Sequence, residues 1–384
     1  MEDWRHGGFG LYLHWPFCAA KCPYCDFNSH VSKSIDQDAW RNAYLQEIDR
    51  YAALTQGRVL NSVFFGGGTP SLMPARTVQA ILDRVRERWT LANDVEITLE
   101  ANPGSVETTR FAGYAYAGVN RVSLGIQALD DSHLKRLGRI HTVAEAKAAF
   151  DIARAQFDRV SFDLIYARQD QTLAEWRLEL AEALSMAVDH LSLYQLTIEP
   201  NTAFGARHAA GGLRGLPAED LAADMYEVTQ ELCNAAGMPA YEVSNHAAPG
   251  AESRHNMIYW KQGDYVGIGP GAHGRMTCGL ARWATEAHSN PAKWLAESED
   301  GKTERPWTSV PPLDRASEYL MMGLRLTTGI DLRRYAELAD APISREAVER
   351  LVDLGMIRLN NEMLAATHQG RMILNTVISE LLPG

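Results

Sequence analysis

Cys18, Cys22 and Cys25 follow one another at C-x3-C-x2-C spacing near the start of the chain. Cysteine thiolates are the usual protein ligands of iron–sulfur clusters, so this triad can hold three irons of a [4Fe–4S] cube. The fourth iron then lacks a protein ligand and can bind an exogenous molecule. Aromatic and proline residues between the cysteines suit a loop that shields a cluster from water. We therefore predict a [4Fe–4S] cluster at these three residues.

Two other uses of closely spaced cysteines fit the sequence less well. A structural zinc site needs four nitrogen or sulfur ligands, and no second Cys/His pair at metal-ligand spacing follows the triad. A thioredoxin-like redox pair needs only two cysteines, which leaves Cys18 without a role. Zinc and a redox pair remain the alternatives to the cluster.

A run of three glycines, Gly66–Gly68, follows a predicted strand and precedes Thr69 and Pro70. Because glycine has no side chain, the backbone there can approach a small charged ligand closely. The alternative is an ordinary glycine turn. Three consecutive glycines directly after a strand favour the ligand-binding interpretation.

These residues are spaced along a chain in which predicted strands and helices alternate. The alternation predicts right-handed βαβ units and a parallel sheet. We therefore predict an α/β fold, a partial, three-quarter parallel β/α barrel, whose site lies at the carboxyl ends of the strands. Thr172 and Glu175 predict a capping box at the start of one helix. The six predicted strands are Gly10–His14, Ser62–Phe65, Val95–Leu99, Arg121–Gly125, Arg159–Ile165 and His190–Thr197.

We expect three regions along the chain. Residues 1–240 form the barrel, and residues 241–315 form an extension rich in glycine and aromatic residues. Within that extension, Gly267–Gly271 is expected to make tight turns. Residues 316–384 read as helices and a two-stranded wing, which predicts a small α+β winged-helix-like domain. Acidic residues outnumber basic ones in this last region, so packing or partner binding is expected there rather than DNA binding.

Charge and hydropathy exclude several classes of partner. The chain of 384 residues has a formal net charge of −11, so it lacks the positive field that attracts nucleic acids. No apolar run reaches the length that spans a bilayer. Five cysteines without a secretory leader are typical of a reducing compartment, and we expect a cytoplasmic location.

Five short motifs carry a resemblance to a known family. They are Tyr12-x-His14-x-Pro16-Phe17-Cys18-x3-Cys22-x-Tyr24-Cys25, Gly66-Gly-Gly-Thr-Pro70, Glu100-Ala-Asn-Pro103, Gly125-Ile-Gln127 and Phe162-Asp163-Leu-Ile-Tyr166. Together they resemble the radical S-adenosylmethionine (SAM) family of oxygen-independent coproporphyrinogen III oxidases and its HemW-type branch. The resemblance covers most of the chain. It implies a barrel of radical SAM type, in which SAM chelates the open iron.

The resemblance also implies a SAM pocket. Gly67, Gly68 and Thr69 would contact the amino end of SAM, and Tyr12 would lie near SAM and the cluster. Carboxylates suit an ammonium group and ribose hydroxyls, whereas an arginine fork suits a carboxylate. The alternative for such residues is an ion pair at the barrel rim. This alternative is strongest for Arg139, because Arg136 is nearby. Four polar residues would complete the pocket: Glu100, Gln127, Arg139 and Asp163.

Two features indicate the HemW-type branch. The oxidases of the family carry a further cysteine two positions after the third ligand, where this chain has Phe27. The segment His255-Asn256-x-x-Tyr259-Trp260 matches a motif that is associated with haem binding in the HemW-type branch. A neutral imidazole can ligate haem iron, so His255 is the predicted haem ligand. The alternative is a histidine that only hydrogen-bonds a loop.

The function implied by the resemblance is that of a haem chaperone. It would bind the cluster, SAM and haem, and transfer haem to an acceptor haemoprotein. The acceptor expected for this branch is a membrane-bound respiratory enzyme, which would bring the protein to a membrane surface. A homodimer is compatible with this role. A radical SAM oxidoreductase that acts on a porphyrinogen and a structural iron–sulfur protein stay open as alternatives, so the sequence does not decide whether the chain is an enzyme.

One turn departs from the family pattern. After Tyr166 the family continues with a Gly-Leu-Pro-type turn, whereas this chain has Ala167-Arg168-Gln169-Asp170. The turn is bulkier and charged. It would either alter access to the SAM pocket or replace one surface turn by another.

Overall fold

The computed structural model describes residues 3–279 and 281–383. Within these ranges an eleven-stranded, mostly parallel sheet dominates the fold. All six strands predicted from the sequence are present in it, and helices alternate with them. In chain order the strands up to residue 310 are β1 (Phe9–Trp15), β2 (Phe17–Cys18), β3 (His30–Val31), β4 (Val59–Gly67), β5 (Thr90–Ala101), β6 (Arg121–Gln127), β7 (Arg159–Tyr166), β8 (His190–Gln195), β9 (Asn245–Ala247), β10 (Asp264–Ile268), β11 (His273–Cys278), β12 (Ala281–Glu286) and β13 (Thr308–Val310).

The large sheet is open, because its two edges are different strands. Its order is β13-β12-β11-β10-β1-β4-β5-β6-β7-β8-β9. All pairings from β10 to β8 are parallel, and the strands beyond them are antiparallel. This arrangement confirms the partial parallel barrel. The short strands β2 and β3 pair with each other outside it.

Strand β10 was not predicted from the sequence. Tight turns were expected in the stretch around it, but Gly267 lies inside β10, which pairs with β1. The turn follows at Gly269 and Gly271, whose φ angles of 113° and 76° suit glycine. A short strand among glycines carries too weak a periodicity to be recognised.

Helices connect the parallel strands and are set by local signals in the sequence. The capping box is confirmed, because Thr172 and Glu175 satisfy each other's backbone N–H groups. Among the described residues, no helix combines the length and apolarity needed to cross a membrane. The α-helices are α1 (Asp3–Gly7), α2 (Gln37–Leu54), α3 (Ala75–Arg88), α4 (Thr108–Ala117), α5 (Asp131–Arg136), α6 (Val143–Arg154), α7 (Leu173–Met186), α8 (Ala203–Ala209), α9 (Glu219–Ala235), α10 (Arg254–Trp260), α11 (Pro291–Glu297), α12 (Pro312–Gly323), α13 (Leu332–Ala339), α14 (Arg345–Asp353), α15 (His368–Met372) and α16 (Leu374–Leu381).

The last part of the chain has a hydrophobic core of its own. Buried apolar residues from Ala316 to Leu381 form a cluster apart from the core of the large sheet. As far as the structure describes the chain, this part contains three antiparallel strands, β14 (Ile330–Asp331), β15 (Ile357–Asn360) and β16 (Met363–Ala366). The predicted two-stranded wing is therefore joined by β14, which pairs with β16. The boundaries at residues 240 and 315 remain predictions.

A buried carboxylate near the start of the chain links distant elements. Asp3 in α1 is fully buried and pairs with Arg282 of β12 at 2.8 Å and with Arg315 of α12 at 3.0 Å. It also pairs with Arg334 of α13. Burial by itself raises the pKa of Asp3, but the three guanidinium groups lower it overall. The network joins α1 to the sheet and to the C-terminal helices.

We expect Asp3→Asn to lower the free energy of unfolding strongly, because it leaves buried arginines without their countercharge. Losing one partner of a buried ion pair typically costs roughly 3–5 kcal/mol. The pKa of Asp3 is lowered in the folded protein. The contribution of Asp3 to the free energy of unfolding is therefore complete above its pKa in the unfolded state, and it is lost as the pH falls through its pKa in the folded state. The difference in the free energy of unfolding between the parent protein and Asp3→Asn, measured by urea denaturation, should therefore become smaller in acid.

The matched control is Asp38→Asn, which removes a carboxylate that is 69% exposed and pairs with Arg41. It should change the free energy of unfolding by no more than about 0.5 kcal/mol. Equal urea midpoints for the Asp3 and Asp38 variants at pH 7 would contradict the structural role of Asp3.

Candidate functional site

A cavity of about 370 Å³ opens at the carboxyl ends of the parallel strands. The cysteine loop follows β1, and the glycine run lies at the end of β4. Strands β5, β6 and β7 each contribute one further polar side chain. The structure thus brings ten predicted site residues into one cavity, while their individual ligands remain predictions. These ten lining residues are Cys18, Cys22, Cys25, Gly67, Gly68, Thr69, Glu100, Gln127, Arg139 and Asp163.

The three cysteines lie on a loop that is fixed at both ends. Cys18 belongs to β2, and a turn connects the backbone of Cys22 and Cys25 by a 3.2 Å hydrogen bond. The Thr69 hydroxyl lies 3.4 Å from the sulfur of Cys18, and Arg139 Nη1 lies 3.3 Å from that of Cys22. Burial raises the pKa of the Cys18 and Cys25 thiols. Their thiolates therefore need a positive charge beside them, which iron supplies.

The cysteine arrangement also bears on the kind of metal site. Among the described residues, no three His, Cys, Asp or Glu side chains converge on one point where a single metal ion could bind. A zinc site requires such convergence. In a cube each thiolate ligates a different iron, so the three sulfur atoms need not meet.

The glycine run is packed tightly against the chain itself. A Cβ atom added at Gly67 would lie 2.6 Å from the His14 ring, and one added at Gly68 would lie 2.7 Å from the carbonyl oxygen of Phe17. Gly67 also has a φ angle of 106°. Backbone N–H groups of Gly68 and Thr69 bond the strand ahead of the cysteines. The missing side chains thus let β4 support the cysteine loop, besides leaving room for a ligand.

Two carboxylates share the cavity. Burial, and next the neighbouring Asp163, raise the pKa of Glu100 to about 8. Burial raises the pKa of Asp163 to about 6, against the opposing effects of Ser192 and Arg121. Within the described residues neither carboxylate forms a salt bridge. The cavity therefore favours a ligand that brings positive charge or hydroxyl groups.

Arg139 and Arg136 have different surroundings. Arg139 donates to the carbonyl of Gly125 at 2.8 Å and to the side chain of Asn102, which holds its guanidinium inside the cavity. Arg136 instead pairs with Asp170 at 2.9 Å on the surface. The rim ion pair considered from the sequence thus describes Arg136 and not Arg139.

Gln127 is positioned by an irregularity in the sheet. The register between β6 and β7 shifts between Leu124 and Gln127, and Gln127 has a φ angle of 75°. Such bulges turn a side chain away from the regular pleat and are common beside active sites. The shift places Gln127 on the cavity wall.

Several cavity residues were missed by the sequence interpretation. Asn102 was quoted only as part of a motif, yet its amide donates to the Thr69 hydroxyl at 3.1 Å and its oxygen accepts from Arg139. Ser123 of β6, the end of β8 and the chain that follows β8 contribute further residues, which carry no motif that would have identified them. These further lining residues are Ser123, Tyr194, Gln195, Leu196, Thr197 and Glu199.

His255 and Tyr12 do not line the cavity. His255 lies on α10, against the amino-terminal halves of β1 and β4. It is 2% exposed, and burial lowers its pKa to about 3. Its Nδ1 is 2.8 Å from the Ser62 hydroxyl, and its Nε2 is 2.7 Å from the Tyr259 hydroxyl. Both ring nitrogens are thus engaged, so iron ligation would require one of these hydrogen bonds to break.

Tyr12 lies between His255 and the cavity. Its ring centroid is 6.1 Å from that of His255. Burial raises the pKa of Tyr12, and the nearby Glu100 carboxylate raises it further. The predicted position of Tyr12 near SAM stays a prediction, and the structure places Tyr12 close enough to Glu100 for that carboxylate to act on it.

The turn Ala167–Asp170 is anchored in the interior. Arg168 is 2% exposed, pairs with Glu179 of α7 at 3.0 Å and donates to the carbonyl of Gln127 at 3.4 Å. Of the two alternatives left open for this turn, a simple surface turn does not describe Arg168, which is buried beside the Glu179 carboxylate. Ala167 and Asp170 have φ angles of 56°, a conformation that favours glycine.

Comparison with known proteins gives full-length matches. The Radical SAM superfamily profile matches residues 12–182, and the HemN C-terminal domain profile matches residues 310–373. The chain is 39% identical to "Heme chaperone HemW" of Escherichia coli, over 97% of each chain. It is also 39% identical to "Radical S-adenosyl methionine domain-containing protein 1, mitochondrial" of Mus musculus, over 97% of this chain and 87% of that one.

A solved structure supports the fold. Coproporphyrinogen III oxidase (HemN) from Escherichia coli superimposes with a TM-score of 0.83, covering 99% of this chain and 91% of that chain. The sequence identity is 19%, so this likeness concerns the fold alone.

We expect Glu100→Gln to stabilise the cluster-free protein at pH 8 and to have little effect near pH 4. Because the pKa of Glu100 is raised in the folded state, ionisation opposes folding, and stability falls as the pH rises from the unfolded-state value towards about 8. The gain should be several kcal/mol and at most about 5 kcal/mol, because the pKa of Glu100 rises from 4.5 to about 8 and one pKa unit corresponds to about 1.4 kcal/mol. Thermal denaturation over this pH range measures it.

The exposed Glu107 at the start of α4 provides a control, because Glu107→Gln should show no such pH-dependent gain. If the melting temperature of Glu100→Gln equals that of the parent protein at every pH, the raised pKa of Glu100 in the folded state is contradicted.

Proposed function

The chain belongs to the radical SAM superfamily and, within it, to the HemW-type proteins, and from this premise we propose that it is a haem chaperone. It binds a [4Fe–4S] cluster, SAM and haem, and delivers haem to haemoproteins. The observation that carries the proposal is the 37–39% identity to proteins named heme chaperone over nearly the full chain. The convergence of the predicted ligands on one cavity supports it.

The cavity fits the cluster and SAM by its chemistry. The three cysteines would hold the cluster, and Arg139 Nη1 lies 3.3 Å from the sulfur of Cys22. Glu100 and Asp163 offer negative charge to a cationic ligand, and Arg139 offers positive charge to a carboxylate. When bound, the cluster supplies an open iron for SAM and, in this superfamily, one-electron chemistry.

The haem site is proposed from the motif at His255. The two hydrogen bonds of its ring mean that ligation through Nε2 requires the Tyr259 hydroxyl to swing away. Such a change would also loosen α10, which packs on β1 and β4. The chaperone proposal does not depend on His255 being the ligand, since other groups can hold haem.

The acceptor and the location are proposals of their own. We propose that the acceptor is a membrane-bound respiratory enzyme, that the protein works in the cytoplasm and visits the membrane surface through its client, and that it can form a homodimer. Co-purification of haem-loaded protein with detergent-solubilised respiratory complexes would test the first of these.

Coproporphyrinogen oxidase activity is the second candidate, and one position argues against it. Phe27 stands where the oxidases have a further cysteine, and its ring is 57% exposed at the cavity. Anaerobic formation of a vinyl product from coproporphyrinogen would favour that activity over the chaperone role.

Haem titration tests the chaperone proposal. We expect anaerobically reconstituted protein to bind haem with a saturable Soret change at a stoichiometry near one per chain. If His255 is the iron ligand, His255→Ala should weaken binding by about tenfold or more, equivalent to about 1.4 kcal/mol. The absence of saturable binding by the parent protein would overturn the chaperone proposal, and undiminished binding by His255→Ala would overturn only the ligand assignment.

Arg139 and Arg136 form a matched pair for testing the SAM pocket. Arg139→Gln should weaken SAM binding by roughly tenfold, because a charged hydrogen bond typically contributes about 1.5–3 kcal/mol. Arg136→Gln removes a surface ion pair and should leave the affinity unchanged. Equilibrium dialysis with labelled SAM measures both, with iron content determined in each sample. Equal affinities at equal iron content would exclude Arg139 from the pocket.

A further inference from the structure

The imidazole of His255 is enclosed by side chains of the barrel interior. Its ring centroid lies 4.9 Å from that of Phe64, 6.1 Å from that of Tyr12 and 4.8 Å from that of Tyr259. The Tyr259 hydroxyl lies 2.7 Å from Nε2, where an iron ligated by that nitrogen would have to lie. A haem plane is much larger than an imidazole. Haem therefore cannot be ligated while His255 keeps this position.

Strand β4 holds the ring through the hydroxyl of Ser62. This fully buried hydroxyl lies 2.8 Å from Nδ1 of His255. Because a neutral imidazole has one donor and one acceptor nitrogen, hydroxyls on both sides satisfy it in either tautomer. Gly10 of β1 leaves the space that the ring needs, since a Cβ atom there would lie 3.0 Å from the Ser62 hydroxyl oxygen and 3.3 Å from Nδ1. The barrel interior is thus shaped to receive this imidazole.

Strand β5 holds the first turn of α10 through the buried carboxylate of Glu96. One of its oxygens accepts from the Ser253 hydroxyl and from the backbone N–H of His255, each at 3.4 Å. The other oxygen accepts from Arg159 of β7 at 3.0 Å. Ser253 is the N-cap residue of α10, and its hydroxyl also accepts from the backbone N–H of Asn256. Glu96 therefore fixes the start of the helix to the sheet.

We propose that Ser62 and Glu96 are positioning residues that hold α10 in a closed state, from which His255 must be released before it can ligate haem. The proposal rests on the proposed chaperone function, with His255 as the haem ligand. A ligand that binds only an open state has an apparent affinity reduced in proportion to the fraction of molecules that are open. Weakening the contacts of the closed state should therefore strengthen haem binding, which the loss of an ordinary supporting contact would not do.

The closed state also bears on the release of haem. In it the two nitrogens of His255 bond the hydroxyls of Ser62 and Tyr259. These hydrogen bonds compensate in part for a lost bond to iron, so closing competes with haem for the imidazole. Closing therefore limits how long haem is retained, which a protein that hands haem on requires.

Haem titration of a matched pair of variants tests this assignment. The Soret absorption is followed anaerobically for cluster-loaded parent protein, Ser62→Ala and the control Ser298→Ala. Ser298 is also a buried serine, 5% exposed, whose hydroxyl donates to the carbonyl of Leu295 at 2.8 Å at the end of α11. Because Ser62→Ala leaves a ring nitrogen of His255 unpaired in the closed state, we expect its apparent haem affinity to rise by about tenfold. Ser298→Ala should bind haem as the parent does.

The double variant Ser62→Ala/His255→Ala shows whether the gain acts through the imidazole. Replacing His255 as well should abolish the gain, since the two side chains are then coupled. The closed state is overturned if the gain persists without His255, if Ser298→Ala gains equally, or if Ser62→Ala binds haem no more tightly than the parent.

Ser253→Ala is a second variant, for use if Ser62→Ala does not fold. It removes the hydroxyl that joins Glu96 to the first turn of α10, and it should raise the haem affinity in the same His255-dependent way. An unchanged or weaker affinity of Ser253→Ala would count against the closed state. A parent protein that binds no haem would instead overturn the chaperone function itself, a result that no variant can produce.

Discussion

The parallel pairing of the strands from β10 to β8 determines where the predicted site residues of this protein meet. Because these strands run in one direction, their carboxyl ends meet at one edge, where the loops and strand ends of different βα units come together. Polar residues follow the apolar stretch of each strand, as Glu100 and Gln127 do. The cysteine loop, which is not part of the sheet, is held to the same edge through Gly68 and Thr69. The cavity is thus a consequence of strand direction.

This geometry concentrates poorly solvated groups. Burial opposes ionisation of Glu100, Asp163 and two of the thiols at the same time. Elsewhere the fold compensates buried charge by pairing it, as around Asp3 and between Arg168 and Glu179. In the cavity no such pairing is present for the carboxylates among the described residues. Elsewhere the fold pairs buried charge directly, whereas here Arg121 and Arg139 act on Asp163 without a salt bridge, so the cavity favours ligands that bring positive charge.

Much of this arrangement follows from local sequence, and some of it does not. The six central strands and the capping box at Thr172 follow from short-range patterns, which the chain itself determines. The difference between Arg139 and Arg136 depends on Asn102 and Asp170, which approach only in three dimensions. The burial of both His255 nitrogens is equally invisible in a motif. Strand β10 was missed because five residues beside glycines pair with β1 only once the sheet exists.

The segment from Tyr194 to Thr197 lines both the cavity that contains the three cysteines and a second cavity beside the C-terminal helices, and this has a consequence for how variation in this protein is interpreted. A substitution in this segment is expected to change both cavities at once and therefore to be pleiotropic. An assay of one ligand would attribute the defect to one site, although both had changed. Substitutions in this segment are therefore also expected to be epistatic with changes in either cavity, and the segment should accept fewer side chains than either cavity would impose alone.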